Sequence, residues 1–385
     1  MKEGWKYINL LDVCDFQGGS QPPKSEWINH EASGYIRMLQ IRDYTQSRNV
    51  LPEYVKLTNR TKCCDSEDIM IGRYGASLGK ILSGLAGAYN VALMKTIPTV
   101  DRLIKPYLKY YLLSNTFQYH IAHIGGRAAQ AGFSKDDLRT LLIPLPSLST
   151  QQSIVTYLDT SFSLIDSLAE NAKKALENAK ALFQAELKKL MEKKEGWEEK
   201  NIKDIGNVIG GTTPNTTNPE FWNGTHCWIS PAELKGDHYL YDSLKKITDK
   251  AIKAKSLKEL PIGTVILSSR APIGKVAINK VPMYCNQGFK CVVCKEYLYN
   301  EYLYWWLYGN KDYLNSLGTG ATFAEISKTV VENISLFLPP LSEQHRIVQT
   351  LDTLSQYISQ LEQNYNKTLD NCQALKQALL RETFE

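Results

Sequence analysis

The sequence predicts an α+β chain: two mixed α/β units in a pseudo-twofold arrangement, joined by two long antiparallel, coiled-coil-like helices. Three observations predict it. The stretch LSTQQSIVTYLDTSFSLIDSL at residues 148–168 occurs again as LSEQHRIVQTLDTLSQYISQL at residues 341–361, a constant offset of 193 residues. Both copies carry apolar residues at spacings of three and four, uninterrupted by proline or glycine, which marks one face of a helix. Each copy also closes a longer repeat, because EGWKYINLLDVCDFQGGSQP at 3–22 aligns with EGWEEKNIKDIGNVIGGTTP at 195–214. The chain thus reads as a unit at 1–146, a helix at 147–194, a second unit at 195–339 and a second helix at 340–385. If the helices pack antiparallel, the second unit is turned about a pseudo-dyad relative to the first.

Taken in order, each unit opens on a tryptophan, Trp5 or Trp197, and runs to a Gly-Gly turn, Gly18-Gly19 or Gly210-Gly211, followed by a polar loop. Such loops offer hydroxyls and backbone amides rather than a packing surface. Short apolar runs at 35–41, 227–229 and 264–267 read as strands. Gly79-Lys80 falls on Gly274-Lys275, and Asn90 on Asn286. The aromatic stretches KPYLKYYLLSN at 105–115 and NEYLYWWLYGN at 300–310 have helical spacing, so their rings are read as core rather than as a stacking platform. A glycine-containing polar loop ends each unit, at 125–138 and 318–331.

Proline-rich stops, IPLPSL at 143–148 and LFLPPL at 336–341, let the helices begin, with Ser149 and Ser342 at the expected N-caps. Leu351, Ile358, Tyr365, Cys372 and Leu379 recur every seven residues, with Leu354, Leu361, Thr368 and Leu375 as the companion series. In the first copy the series read Leu158, Ile165, Ala172, Ala179 and Leu168, Ala175, Leu182, extended by Phe183, Leu187 and Leu190. The expected helix-pair interface is therefore Leu158, Ile165, Leu168 and Leu182 against Leu351, Leu354, Ile358, Leu361 and Leu375. Some 45 residues make a rod of roughly 65 Å.

The chain has 385 residues, 45 Lys plus Arg against 40 Asp plus Glu, and a net charge of +5, a mild basic excess compatible with nucleic acid. The opening MKEGWKYINLL lacks the pattern of a signal peptide, and no run approaches 18 apolar residues, so a cytoplasmic protein with no membrane contact is expected. Of the eight cysteines, Cys291 and Cys294 with Cys285 or Cys227 could suggest zinc, but no second ligand pair completes the set. No metal is expected.

Catalytic motifs are missing. A phosphate loop needs a glycine five residues before the Gly-Lys pair, where Tyr74 and Ser269 stand. Asn218-Pro-Glu-Phe221 lacks the second proline of an adenine methyltransferase motif, and the six histidines fall at neither metal nor triad spacing. A doubled, mildly basic chain without catalytic residues points to recognition. Arg and Lys can meet phosphates or guanine edges, and Asn or Gln can pair with adenine. In the first unit the candidates are Ser20, Gln21, Lys24, Gln40, Arg42, Arg73, Tyr74, Lys80, Arg127, Gln130 and Lys135. In the second they are Thr212, Thr213, Asn215, Lys235, Ser269, Arg270, Lys275, Thr319, Thr322 and Lys328.

The runs IPLPSLSTQQSIVTYLD and LFLPPLSEQHRIVQTLD, with the GW openings and the GG-T/S-x-P turns, resemble a specificity (S) subunit of a type I restriction-modification system over essentially the whole chain. Ser147 and Thr150 depart from the family's proline and acidic residue in the first copy. The resemblance implies two target recognition domains that bind a bipartite double-stranded DNA sequence, one half-site each, with the helices setting the unread spacer. It also implies no activity of the chain's own and no cofactor. S-adenosylmethionine, ATP and magnesium would belong to partners, namely two methyltransferase (M) subunits and, through them, restriction/motor (R) subunits. The helix outer faces and the LSxQ starts are the expected docking points. The alternative is a non-catalytic coiled-coil scaffold whose globular ends bind protein, which would lack salt-sensitive affinity for duplex DNA.

Overall fold

The structure, a computed structural model, describes residues 5–46, 50–125, 132–270, 272–320 and 324–385. The chain forms two compact units, Met1–Ala172 with Tyr365–Glu385, and Lys173–Asn364. Each unit therefore takes part of both long helices.

In the first unit a ribbon pairs Lys6–Asn9 with Leu142–Leu145, Lys6 standing opposite Leu145. One four-stranded antiparallel sheet runs in the order Cys14–Gly18, Leu93–Pro98, Met70–Gly72, Ile81–Leu82. A second runs Tyr54–Lys56, Tyr35–Leu39, Gly87–Tyr89, Cys63–Cys64, with one parallel pairing, Met38 opposite Ala88. The run expected to be a strand through Ile41 stops at Leu39, because Gln40 and Asp43 form a capping box that starts the short helix Ile41–Thr45.

The second unit repeats the plan. Its ribbon pairs Glu198–Asn201 with Ser335–Leu338. A five-stranded sheet contains Gly206–Gly210, Phe289–Cys294, Val265–Ser268, Val276–Asn279 and Tyr239–Leu240 in that order. A three-stranded sheet centres on Trp222–Ile229. Val265–Ser268 and Val276–Asn279 are buried at every position, so they read as unbroken apolar runs rather than alternating ones.

The aromatic helices are core, as their spacing predicts. Tyr107, Tyr111 and Tyr302 are wholly or almost wholly buried, and Trp305 is 2% exposed. Their polar tips are satisfied at matching places: Tyr107 donates to Pro144 O (2.7 Å) and Tyr302 to Phe337 O (2.8 Å). Tyr110 donates to Asp159 (2.5 Å) and Trp305 Nε1 to Asp352 (2.9 Å), so the aspartate of each LDT triplet ties the long helix to the aromatic helix.

The long helices are Leu148–Met191 and Leu341–Phe384, 44 residues each, about 66 Å at 1.5 Å per residue. Their starts differ from expectation. In the first, Ser147 caps, its Oγ accepting from the Thr150 N–H (3.2 Å), and Ser149 lies inside the helix. In the second the Pro340 carbonyl accepts from Glu343 and Gln344, so Ser342 is not the cap either. The glutamines are the anchors. Gln151 and Gln344 are fully buried. Gln151 Nε2 donates to Arg102 O and Pro146 O while its Oε1 accepts from Ile104 N; Gln344 does the same with Tyr297 O, Pro339 O and Tyr299 N. The LSxQ glutamines are thus internal struts and not docking points.

One heptad series holds and the other does not. Leu158 and Ile165 are buried in the first helix, Leu351 and Cys372 in the second, and Leu354 and Ile358 pack against the core. Of the companion leucines Leu354 packs against the core, while the others are displaced by one residue. Phe162, Ala169, Leu176 and Phe183 turn inward, while Leu168 and Leu182 are 55% and 71% exposed. In the second helix Glu362, Leu369 and Lys376 are half-buried, while Leu361 and Leu375 are 40% and 50% exposed. Ion pairs flank the seam where its inward residues are charged. Within the first unit Lys376 meets Asp166 at 2.5 Å and Cys372 Sγ lies 3.8 Å from Ile165 O; within the second Lys180 pairs with Glu362. Each unit therefore contains an antiparallel helix contact. The seam ends merge with the cores: Phe183, Leu187 and Leu190 cluster with Ile347, Val348 and Leu351 in the second unit, and Val155 and Leu158 with Leu380 and Phe384 in the first.

Candidate nucleic-acid interface

In each unit the Gly-Gly turn is held by the loop that follows the next buried tyrosine. Gly19 N donates to Leu93 O and Ser20 N to Tyr89 O; Gly211 N donates to Phe289 O and Thr212 N to Cys285 O. A Cβ on Gly19 would stand 2.1 Å from Asn90 O, and one on Gly211 would stand 1.9 Å from Asn286 O. Glycine is therefore required at both by backbone approach. Asn90 and Asn286 in turn close their own loops, through Ala92 N (3.2 Å) and Gly288 N (2.7 Å).

Two further segments meet this turn. Arg73 N donates to Ala92 O and Phe133 N to Arg73 O, while Tyr74 bridges to Gly132. In the second unit Ser269 N donates to Gly288 O and Ile326 N to Ser269 O, while Arg270 bridges to Glu325. The same backbone frame thus carries Ser20, Arg73, Tyr74 and Val91 in one unit and Thr212, Arg270 and Gln287 in the other, with Ser269 at the place of Arg73. Arg73 extends across its frame, Nε to Phe133 O (3.3 Å), Nη1 to Val91 O (3.4 Å), its guanidinium 4.9 Å from the Tyr74 ring centre.

The other candidates scatter or are engaged. Lys24, Gln40 and Arg42 converge on Glu53, with Lys24 3.9 Å above the Trp27 ring. Lys135 pairs with Asp15, and Lys328 with Glu332 at 3.5 Å. Arg270 meets Glu325 at 3.0 Å, and the same carboxylate takes Lys290 at 3.3 Å. Lys24 beside Glu53 holds that carboxyl below the ordinary carboxylate range. Burial pushes Glu325 up, but Arg270 and Lys290 outweigh it and the carboxyl sits below its ordinary value. These acids hold the cations in place.

Gln21, Lys80, Asn215 and Thr319 are exposed on loops, Asn215 accepting from Thr217, and Thr213 bonds to Gln287 and accepts from Asn286 Nδ2 at 2.8 Å. Lys235 and Lys275 lie instead around a cavity, where Lys275 donates to Leu234 O (2.8 Å). Ser269 departs from expectation: it is wholly buried beneath Lys290, whose Nζ donates to it at 3.1 Å, so its hydroxyl faces no groove. Arg127, Gln130 and Thr322 lie outside the described residues. Sequence reasoning missed Glu53, Glu325 and Gln287; only Gln287, beside the aligned Asn286, carried a signal. The described cysteines are free thiols, no described group of His, Cys, Asp or Glu is arranged to hold a metal, and no described helix is long and apolar enough to cross a membrane.

Comparison with known proteins bears on these frames. The family described as type I restriction modification DNA specificity domain matches twice, at residues 2–178 and 194–371. The chain is similar to the type I restriction enzyme MjaIX specificity subunit of Methanocaldococcus jannaschii, 38% identical over 49% of this chain and 44% of that one. It is also similar to the EcoR124I/EcoR124II specificity subunit of Escherichia coli, 30% identical over 67% of this chain and 66% of that one. The aligned segments span less than two thirds of either relative's length. In fold it matches a chain from a study of assembly and conformational transition of the type I R-M system, with TM-score 0.81, 20% identity and coverage of 99% and 98%. It also matches the HsdS subunit of Thermoanaerobacter tengcongensis, with TM-score 0.59, 19% identity and coverage of 100% and 97%.

Proposed function

This chain belongs to the type I restriction-modification DNA specificity family, and we propose that it reads a bipartite duplex target, one half-site per unit, without chemistry of its own. The observation that carries this reading is the repeated frame with changed side chains. Turn, arginine-bearing strand end and asparagine loop keep the same backbone bonds in both units, while Arg73 and Tyr74 are replaced by Ser269 and Arg270, and Val91 by Gln287. A shared backbone with different side-chain edges suits two modules that read different bases. Cations held by Glu53, Asp15 and Glu325 supply phosphate affinity once released.

The long helices act as the spacer, so their length sets the unread interval between half-sites. Their outward leucines, Leu168, Leu182, Leu361 and Leu375, with Tyr157 and Tyr357, are the docking surface for two methyltransferase subunits, through which restriction subunits attach. S-adenosylmethionine, ATP and magnesium serve those partners, and the site of action is the cytoplasm.

The test is an exchange of residues 195–339 for the equivalent domain of another specificity subunit, followed by sequencing of methylated sites. One half-site changes and the other stays; a change in both overturns modular readout.

A further inference from the structure

One cavity of the second unit, about 640 Å³, has walls that duplex reading leaves unused. A column of rings runs into it. Tyr239 stacks on His238 (4.2 Å, 16°), His238 on Tyr304 (3.7 Å, 10°), and Tyr308 lies nearly parallel to Tyr304 (6.0 Å, 22°). The inner end is fixed, since His238 Nε2 meets the buried Glu301 carboxylate at 2.8 Å. The outer end, Tyr308, is 43% exposed at the cavity wall.

Three lysines line the same cavity: Lys235, Lys275 and Lys311. Among the described residues none of them forms an ion pair with a carboxylate, in contrast to Lys24, Arg42, Lys135, Arg270, Lys290 and Lys328. The carboxylate in this wall is Asp312, leaving positive charge in excess. Gly274-Lys275, which fails the spacing of a phosphate loop, belongs to this wall. Its backbone amides are already used, Gly274 N on Ser268 O (3.1 Å) and Lys275 N on Ser268 Oγ (2.9 Å). An anion here is therefore met by ammonium groups rather than by a backbone cradle. The ring column is not repeated in the first unit, where at the repeat offset Lys109 and Leu113 stand in place of Tyr304 and Tyr308. The feature is not part of the frame that both units share.

A flat exposed ring beside uncompensated ammonium groups, in a space of ligand size, matches one ligand chemistry. We propose that this cavity binds a phosphorylated nucleoside, the base stacked on Tyr308 and the phosphate oxygens met by Lys235, Lys275 and Lys311. The ligand is either a free nucleotide or a nucleotide of a DNA strand, which share this chemistry. The free-nucleotide arm stands apart from the specificity reading, because it needs neither duplex nor methyltransferase.

The experiment is calorimetric titration of the full chain with ATP, AMP, adenosine and inorganic tripolyphosphate. ATP binds more tightly than AMP, and AMP more tightly than adenosine. Tyr308→Ala weakens ATP about tenfold, the scale of one stacked base, and leaves tripolyphosphate unchanged. Lys311→Gln weakens both ATP and tripolyphosphate. Both side chains are exposed, so unfolding temperatures stay at the parent value. If free nucleotides do not bind but both variants weaken duplex affinity of the chain with its methyltransferase, the nucleotide comes from a strand. ATP binding that ignores Tyr308→Ala, or no response of either nucleotide or duplex binding to the variants, overturns the proposal.

Discussion

Replacing Gln344 with leucine removes one strut and leaves the volume nearly unchanged. The amide is fully buried and makes three hydrogen bonds, donating to Tyr297 O (3.0 Å) and Pro339 O (2.9 Å) and accepting from Tyr299 N (2.8 Å). Leucine satisfies none of them, so one buried N–H and two carbonyls lose their partner. Each costs roughly 1–3 kcal/mol, and the carbonyls, with a second lone pair, lie at the low end, giving a loss on the order of 3 kcal/mol. That is a large share of the roughly 5–15 kcal/mol of a typical domain. Urea denaturation of Gln344→Leu, with Gln349→Leu, an exposed glutamine of the same helix, as the control, measures it. The control stays within about 0.5 kcal/mol of the parent. A Gln344→Leu transition as stable as the parent would refute the strut, and with it the claim that the LSxQ start fixes each helix to its unit.

Further outcomes follow from the same contacts. Leu351→Ala, at a fully buried position, costs about 2–5 kcal/mol in denaturation, whereas Leu182→Ala, 71% exposed, costs less than about 0.5. Leu182→Asp and Leu361→Asp leave stability unchanged but prevent co-purification of the methyltransferase; retained partner contradicts the docking face. Gly211→Ala drives a Cβ into Asn286 O and abolishes methylation of the target in cells, with folded protein still recovered by gel filtration. Glu325→Gln frees Arg270, so non-specific duplex affinity rises and the slope of log K against log salt steepens by about one, while Lys290, buried and bonded to Ser269, stays in place. Glu325 has a depressed folded-state value, so its contribution is present above the unfolded carboxyl range near 4.3–4.5 and lost as pH falls through the folded value. The parent should therefore show a flat duplex affinity between pH 6 and 8, rising only below the ordinary carboxylate range, and the E325Q variant should show no such rise from this site.

Much of the fold was legible because repetition doubles every signal. Leu158, Ile165, Leu351 and Cys372 keep the seven-residue period of the seam, and Gly19 and Gly211 stand at turns that accept nothing larger. The companion series misled because hydrophobicity alone chose Leu168 and Leu361. The seam takes Ala169 and Glu362 one residue later, a shift that depends on how two helices face each other and not on either pattern. Site residues were less legible. Ser269 sits in the right loop but under Lys290, and the acids that hold the cations, Glu53 and Glu325, are remote in sequence from Lys24, Arg42 and Arg270. Burial and ion pairing across such distances are tertiary facts with no local spacing to announce them.

Changing the length of the paired helices changes the proposed ruler itself. One heptad is inserted into each long helix at matched positions, and methylated adenines are mapped in cells that carry the altered chain with its methyltransferase. Both half-sites keep their bases while the interval between them grows. An interval that stays the same, with methylation intact, would contradict the claim that the paired helices hold two reading units at a set distance.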